Sequence, residues 1–255
     1  DAALLDGNAG AGNPALSPEQ QKQGDEIAEK LGVSQETAQK IQAIAEELGV
    51  DPETLLLMDG SFTGSKSESD IKGSEFAKLS ARAAKVTKNK VTLKWKKIKG
   101  ADGYLIYGAR CGTKKNKLLK TINKNGQTSF THSKLKKGKG YRYVVRAYKM
   151  VDGKRITISA SKTVHVFTDG GKYGNAKTIK LKKSKAVIKA GKTFKISAKE
   201  IKNKKPLRKH RQICYESSNK NVATVTKKGV IKGMAKGTCK IYVYAQNGIC
   251  KTVKV

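Results

Sequence analysis

Residues 91–108 read VTLKWKKIKGADGYLIYG. Val91, Leu93 and Trp95 alternate with Thr92, Lys94 and Lys96. A period of two puts the apolar side chains on one face of a strand and the polar ones on the other, as in a half-buried antiparallel sheet. The pattern recurs downstream. In YRYVVRAY, Tyr141, Tyr143, Val145 and Ala147 share a face, and in TFKISAK, Phe194, Ile196 and Ala198 alternate with Lys195, Ser197 and Lys199. KNGQ, KKGKG, VDGK and QNG supply turns at short intervals. Many short strands with regular turns predict β-sandwiches from about residue 78 onward.

Upstream the periodicity is helical. Ser17-Pro18 supplies an N-cap and a first-turn proline, and Gly32 can end that helix. Ser34 caps a second helix that stops at Gly49, and Asp51-Pro52 starts a third, ending near Gly60. Ala38, Ile41, Ala45 and Leu48 lie on one face of the second helix, joined by Ile44. Residues 61–77, rich in Gly, Ser and charge, read as a linker, and residues 1–16 as a flexible N-terminus. The expected fold class is therefore mainly β: two tandem immunoglobulin-like sandwiches after a small three-helix segment at 17–60.

Charge divides the chain at the same place. Residues 1–75 hold 15 acidic and 5 basic residues; residues 76–255 hold 5 acidic residues, 42 Lys and 7 Arg, within a net charge of +34 overall. Such asymmetry suggests a polyanionic partner, or lysines that solubilise strand faces and discourage edge pairing. Arg is the usual choice for bidentate recognition of phosphates and base edges, so the lysine excess leans away from sequence-specific nucleic-acid reading. No apolar run is long enough for a transmembrane helix. The opening DAALLDGNAG shows no signal peptide, and a start at Asp fits a processed or truncated chain.

Two stretches carry resemblances. VTLKWKKIKGADGYLIYG and LKKGKGYRYVVRAY make residues 78–168 similar to a fibronectin type III domain, with Trp95 in the core, Tyr104 on the third strand, and Leu135 and Tyr141 forming a tyrosine corner. Lys137 stands where that family often has Pro. Residues 176–255 resemble a bacterial Ig-like domain of group 2 through TIKLKKSKAVIKAGKTFKISA, YESSNKNVATVTKKGVIKGMAKGTCKIYVYA and KTVKV. Tyr215 replaces the family's usual Trp, Val222 and Val225 are expected to pack inward, and Gly229 permits a tight turn. The two resemblances imply a bacterial cell-surface or secreted location, since such modules are commonly strung together there.

No catalytic constellation is legible. His132, His165 and His210 have no suggested Ser/His/Asp or Cys/His partners, and no paired carboxylates stand out among the five acidic residues of the basic part. Cys111, Cys214, Cys239 and Cys250 show neither CxxC spacing nor a histidine at metal-ligand spacing, so neither a metal site nor a cofactor is expected. One disulfide within the last domain and three free thiols remain equal alternatives, although simple pairing places Cys250 opposite about residue 244 rather than Cys239. The densest basic cluster, Lys199, Lys202, Lys204, Lys205, Arg208, Lys209 and Arg211, is the candidate polyanion contact. The expected function is a non-enzymatic extracellular multi-module protein for adhesion or spacing, with an anionic wall polymer or host glycan as partner. The alternatives are an accessory region of a larger secreted carbohydrate-active enzyme and a nucleic-acid-binding protein. Ligand identity, oligomeric state and the role of the acidic helices are not legible.

Overall fold

In the computed structural model, residues 16–50, 52–56 and 74–255 are described. Most of the expected N-terminal tail, most of the expected linker and the end of the third helix lie outside them.

Helices α1 (Pro18–Leu31) and α2 (Gln35–Leu48) form a hairpin, followed by the short α3 (Pro52–Leu55). Ser17 accepts from the Gln20 amide while the Gln20 side chain accepts from the Ser17 amide, so two otherwise orphaned donors are satisfied reciprocally. Gly32 and Gly49 close the two helices in left-handed geometry. Their apolar face (Ile27, Leu31, Ala38, Ile41, Ala45 and Leu55) packs on Val151 and Ile156 of the first sandwich. The acidic helices are thus docked on the basic part of the chain through an apolar patch. Charge acts at its rim, where Asp152 accepts from the Thr37 hydroxyl at 2.8 Å and from Lys40 at 3.2 Å.

A one-turn helix, α4 (Phe76–Leu79), leads into the first sandwich. Its strands are β1 (Arg82–Val86), β2 (Val91–Lys94), β3 (Gly103–Arg110), β4 (Lys117–Ile122), β5 (Ser129–His132), β6 (Gly140–Val151), β7 (Lys154–Ala160) and β8 (Val164–Phe167). One sheet has the order β1-β2-β5 and the other β4-β3-β6-β7, with β8 also paired to β6. All pairings are antiparallel. This is the strand arrangement of a fibronectin type III sandwich. Trp95 meets Tyr104 edge-on at 5.3 Å, and the Tyr141 hydroxyl accepts from the Lys136 amide at 3.0 Å, closing the tyrosine corner.

In β6 the alternation hides a second buried face. Tyr143, Val145 and Ala147 point into the sandwich, but Arg142, Val144, Arg146 and Tyr148 are buried as well. Leu105, Tyr107, Val144 and Tyr148 form a separate apolar cluster, and the Arg146 guanidinium lies 4.9 Å from the Tyr107 ring centre.

The second sandwich contains β9 (Ala176–Leu181), β10 (Thr193–Lys195), β11 (Ala198–Lys202), β12 (Cys214–Ser217), β13 (Ala223–Val225), β14 (Val230–Gly233), β15 (Lys240–Tyr244) and β16 (Cys250–Lys254). Its ladders run β9-β11, β10-β14-β13 and β12-β15-β16. TFKISAK is not one strand: β10 pairs with β14 and β11 with β9, so the chain changes sheets at Ile196-Ser197 while Ile196 stays in the core. Sequence alternation cannot register this, because side-chain periodicity survives a change of hydrogen-bonding partner. None of the four cysteines is disulfide-bonded, and Cys250 pairs with Tyr244, the register expected of a simple hairpin.

The two sandwiches are joined by the turn 246–248. Asn247 accepts from the Ala83 amide at 2.9 Å and Gln246 from the His165 amide at 2.8 Å. A Cβ on Gly248 would lie 2.2 Å from the Ala81 carbonyl oxygen, so this close approach requires glycine. Glu216 extends the junction by accepting from the Phe76 and Ala77 amides at 2.8 and 3.1 Å, and Phe76 stacks on Tyr244 at 4.1 Å.

Candidate functional site at the junction of the sandwiches

Where the sandwiches meet there is a cleft of about 860 Å³. Three structural pieces enclose it. The first is the end of β3 with Arg110 and Cys111. The second is the tyrosine-corner loop, 137–140, with the turn 170–173. The third is the loop between β11 and β12, which brings Arg208, Lys209 and His210. Gly138 and Gly171 touch backbone to backbone: a Cβ on Gly138 would lie 2.5 Å from the Gly171 Cα. Two lysine-bearing turns can therefore share one rim. The Gln246 side chain holds the opposite wall, accepting from the His210 amide at 2.7 Å and donating to the Arg208 carbonyl at 3.0 Å.

Arg110, Lys137, Lys139, Lys172, Arg208 and Lys209 surround the opening, and no carboxylate is among the lining residues. Tyr173 forms an aromatic wall, with the Arg208 guanidinium and the Lys172 ammonium each 5.7 Å from its ring centre. Deeper in, Arg142 donates to Asn116 at 2.7 Å and is buried.

The seven basic residues anticipated from sequence are dispersed. Arg208 and Lys209 reach the cleft. Lys209 also pairs with the buried Glu200 at 2.6 Å, and Lys205 donates to the Gly171 carbonyl. Arg211 lies 5.5 Å from the Tyr244 ring centre. Lys199 and Lys202 project from β11, and Lys204 is exposed in the following turn. Sequence density thus pointed to one wall of the cleft and missed Arg110, Lys137, Lys139 and Lys172. The available signal was a pair of Gly/Lys turns, KKGKG and DGGKYG, bracketing β6 and β8 at one end of the sandwich.

The structural residues fall as follows. Leu135, Trp95, Tyr104 and Tyr141 lie in the first core. Tyr215, Val222 and Val225 pack against the second. Gly229 has φ +75°, and a Cβ there would meet the Tyr215 ring at 2.7 Å, so backbone and packing both require glycine.

The histidines depart from expectation. No Cys/His pairing was legible, yet the Cys111 thiol stands 3.8 Å from His165 Nδ1, and His165 stacks on His210 at 4.9 Å. One donor atom from each of Cys111, His165 and His210 lies within 4.8 Å of the others. They are 45 or more residues apart in the chain: Cys111 and His165 meet within the first sandwich, and Gln246 holds the His210 loop of the second beside them. Burial, reinforced by Arg211, His210 and Arg142, drives His165 down to about 3. Burial, then Arg208 and Arg142, lowers His210.

The fold defines a class: immunoglobulin-like β-sandwiches in tandem. More particularly, residues 175–255 match the model of the bacterial Ig-like domain (group 2) family. Among solved structures, the chain is similar to a myokine structure at 16% identity over 36% of this chain and 93% of the other, with a TM-score of 0.30. It is also similar to the solution structure of a fibronectin type III domain derived from human KIAA0970 protein, at 16% identity over 37% of this chain and 75% of the other, with a TM-score of 0.30. No curated protein matches the chain. The group 2 bacterial Ig-like family is a non-catalytic immunoglobulin-like family, so residues 175–255 are consistent with a non-catalytic extracellular module. Among the described residues no helix is long and apolar enough to cross a membrane.

Proposed function

We propose that this protein is a non-catalytic surface or secreted module that holds a segment of an anionic polymer, a wall polymer or a sulfated glycan, in the cleft between its two sandwiches. One observation carries the reading: six basic side chains from one strand end and three loops converge on a single cleft with no carboxylate in its lining. A solvating coat of lysines has no reason to converge. A concave cationic site focuses the field on a polyanion more strongly than a flat face does. Tyr173 offers an apolar surface against which a sugar ring can rest.

The test is binding of the full, chelator-treated chain to a teichoic-acid polymer, a sulfated glycan, a neutral polysaccharide and duplex DNA. Each is measured at about 0.05 and 0.5 M salt, since screening shortens the range of surface charge steeply across that interval. The variant K137E/K139E/R208E is expected to lose binding at least tenfold. K199E/K202E/K204E, with the same charge change away from the cleft, is expected to retain most of it. Equal losses would replace the cleft by a diffuse lysine coat. Preference for duplex DNA would favour a nucleic-acid-binding protein instead.

A further inference from the structure

We infer that Cys111, His165 and His210 form a binding site for a thiophilic d10 cation, zinc(II) or copper(I), at the junction of the two sandwiches. The inference goes beyond polymer binding and does not depend on it.

The donor set comes first. A thiolate and two imidazoles suit zinc and copper(I), whereas calcium and magnesium require oxygen donors. Geometry comes second. Metal–sulfur and metal–nitrogen bonds of about 2.3 and 2.0–2.1 Å place neighbouring donor atoms about 3.5 Å apart. Cys111 Sγ and His165 Nδ1 are already at 3.8 Å, and all three donors lie within 4.8 Å. Closing the set takes side-chain rotations that turn the stacked His165 and His210 rings out of parallel, so that their in-plane lone pairs converge on one ion. The third observation is His210 Nε2, which is buried yet has no hydrogen-bond partner among the described residues. A buried imidazole nitrogen in that position is costly unless something binds it. All three residues line the cleft, so an ion has an entry path and an open further coordination position.

Arg142, Arg208 and Arg211 face this cluster and disfavour a bare cation. Their effect selects rather than forbids. Copper(I) with one thiolate is neutral. Zinc(II) with one thiolate retains a single positive charge, which an anionic ligand from the cleft can neutralise. Binding replaces the thiol proton by the metal and releases that proton to solvent. No oxidant or reductant is consumed.

The site also carries a structural consequence. Cys111 and His165 belong to the first sandwich and His210 to the second. A bound ion therefore clips the two sandwiches together and should raise the stability of the junction by mass action.

The experiment uses the untagged full chain, reduced and stripped with chelator, with no polymer present. Zinc(II) is titrated by calorimetry. Copper(I) is titrated anaerobically against a chromogenic chelator. Cobalt(II) serves as a visible reporter, since a thiolate ligand gives a sulfur-to-cobalt charge-transfer band. One ion per chain is expected, with a higher melting temperature and a thiolate band. Losing a residue that merely hydrogen-bonds to a metal ligand typically weakens metal affinity about 10–100-fold, so C111S and H210N, which remove a ligand itself, are each expected to weaken it by about 100-fold or more. C250S, remote from the cluster, should bind as the parent does. H210N lies in a loop, and its folding is checked by circular dichroism, so a failure to fold is separable from a failure to bind. Failure of both zinc and copper(I) to bind the folded parent overturns the inference, as does full binding by C111S. Neither result bears on polymer binding, which is measured on metal-free protein.

Discussion

His132 shows how single side chains of this molecule respond to their surroundings. Its Nδ1 lies 3.0 Å from the Tyr143 hydroxyl, and burial lowers its proton affinity below the ordinary value of 6.5. His165 and His210 are shifted the same way, again chiefly by burial. A histidine whose folded pKa lies below its unfolded one binds more protons in the unfolded state. Its contribution to stability is complete above about pH 6.5 and is lost as the pH falls toward the folded value. In metal-free buffer, stability should therefore fall from pH 7 to pH 4, each histidine contributing at most about 1.4 kcal/mol per pH unit. Urea midpoints measured across that range test the sign, and H132Q should flatten the slope. A midpoint that rises on acidification would contradict the burial argument.

At the scale of elements, the tyrosine corner is the device that fixes the loop before β6. Tyr141 buries its ring in the first core while its hydroxyl accepts from the Lys136 amide. The same loop carries Lys137, Gly138 and Lys139 to the cleft rim, so the corner also positions the candidate site. Y141F keeps the ring and removes the hydrogen bond. It should lower stability by about 1 kcal/mol, seen as a lower urea midpoint at unchanged slope. An unchanged midpoint would mean that ring packing alone holds the corner. The periodicity that marked β6 in the sequence was sound for its core-facing residues. It was silent on Arg142 and Arg146, because polar residues on alternate positions signal water when one face is assumed to be wet. Here that face is covered, and Arg146 lies over Tyr107 instead.

For the whole molecule, the docked helices raise the question of what holds acidic and basic parts together. Opposite net charge suggests electrostatics, but the contact consists of Ile27, Leu31, Ile41 and Leu55 against Val151 and Ile156. Apolar contacts of this kind are not screened by salt, whereas the exposed Lys40–Asp152 pair is worth little. Raising the salt to about 0.5 M should leave the helices docked. I156A should weaken docking by about 2–4 kcal/mol, the range for truncating a buried aliphatic side chain. Hydrogen exchange over residues 18–48 reads both. Release of the helices by salt in the parent protein would return the contact to charge.

What the sequence by itself determined were the local regularities. They comprise the capped helices from Ser17 to Gly49, the alternating strands around Trp95 and Tyr141, and the glycine turns of the last domain. These depend on propensity and on a hydrophobic period spanning a few residues, so a short window contains the whole signal. The resemblance to two immunoglobulin-like modules followed from the same stretches. The tertiary structure alone decided what meets across the junction. Cys111, His165 and His210 come from a strand end, an edge strand and a loop of the other sandwich. Lys137, Lys172 and Arg208 become neighbours in one cleft because Gly138 can touch Gly171 and because Gln246 holds the loop at 208–211. The physical reason is that such groupings depend on how domains dock. Docking is fixed by contacts between residues far apart in the chain, and these leave no period or spacing in the sequence.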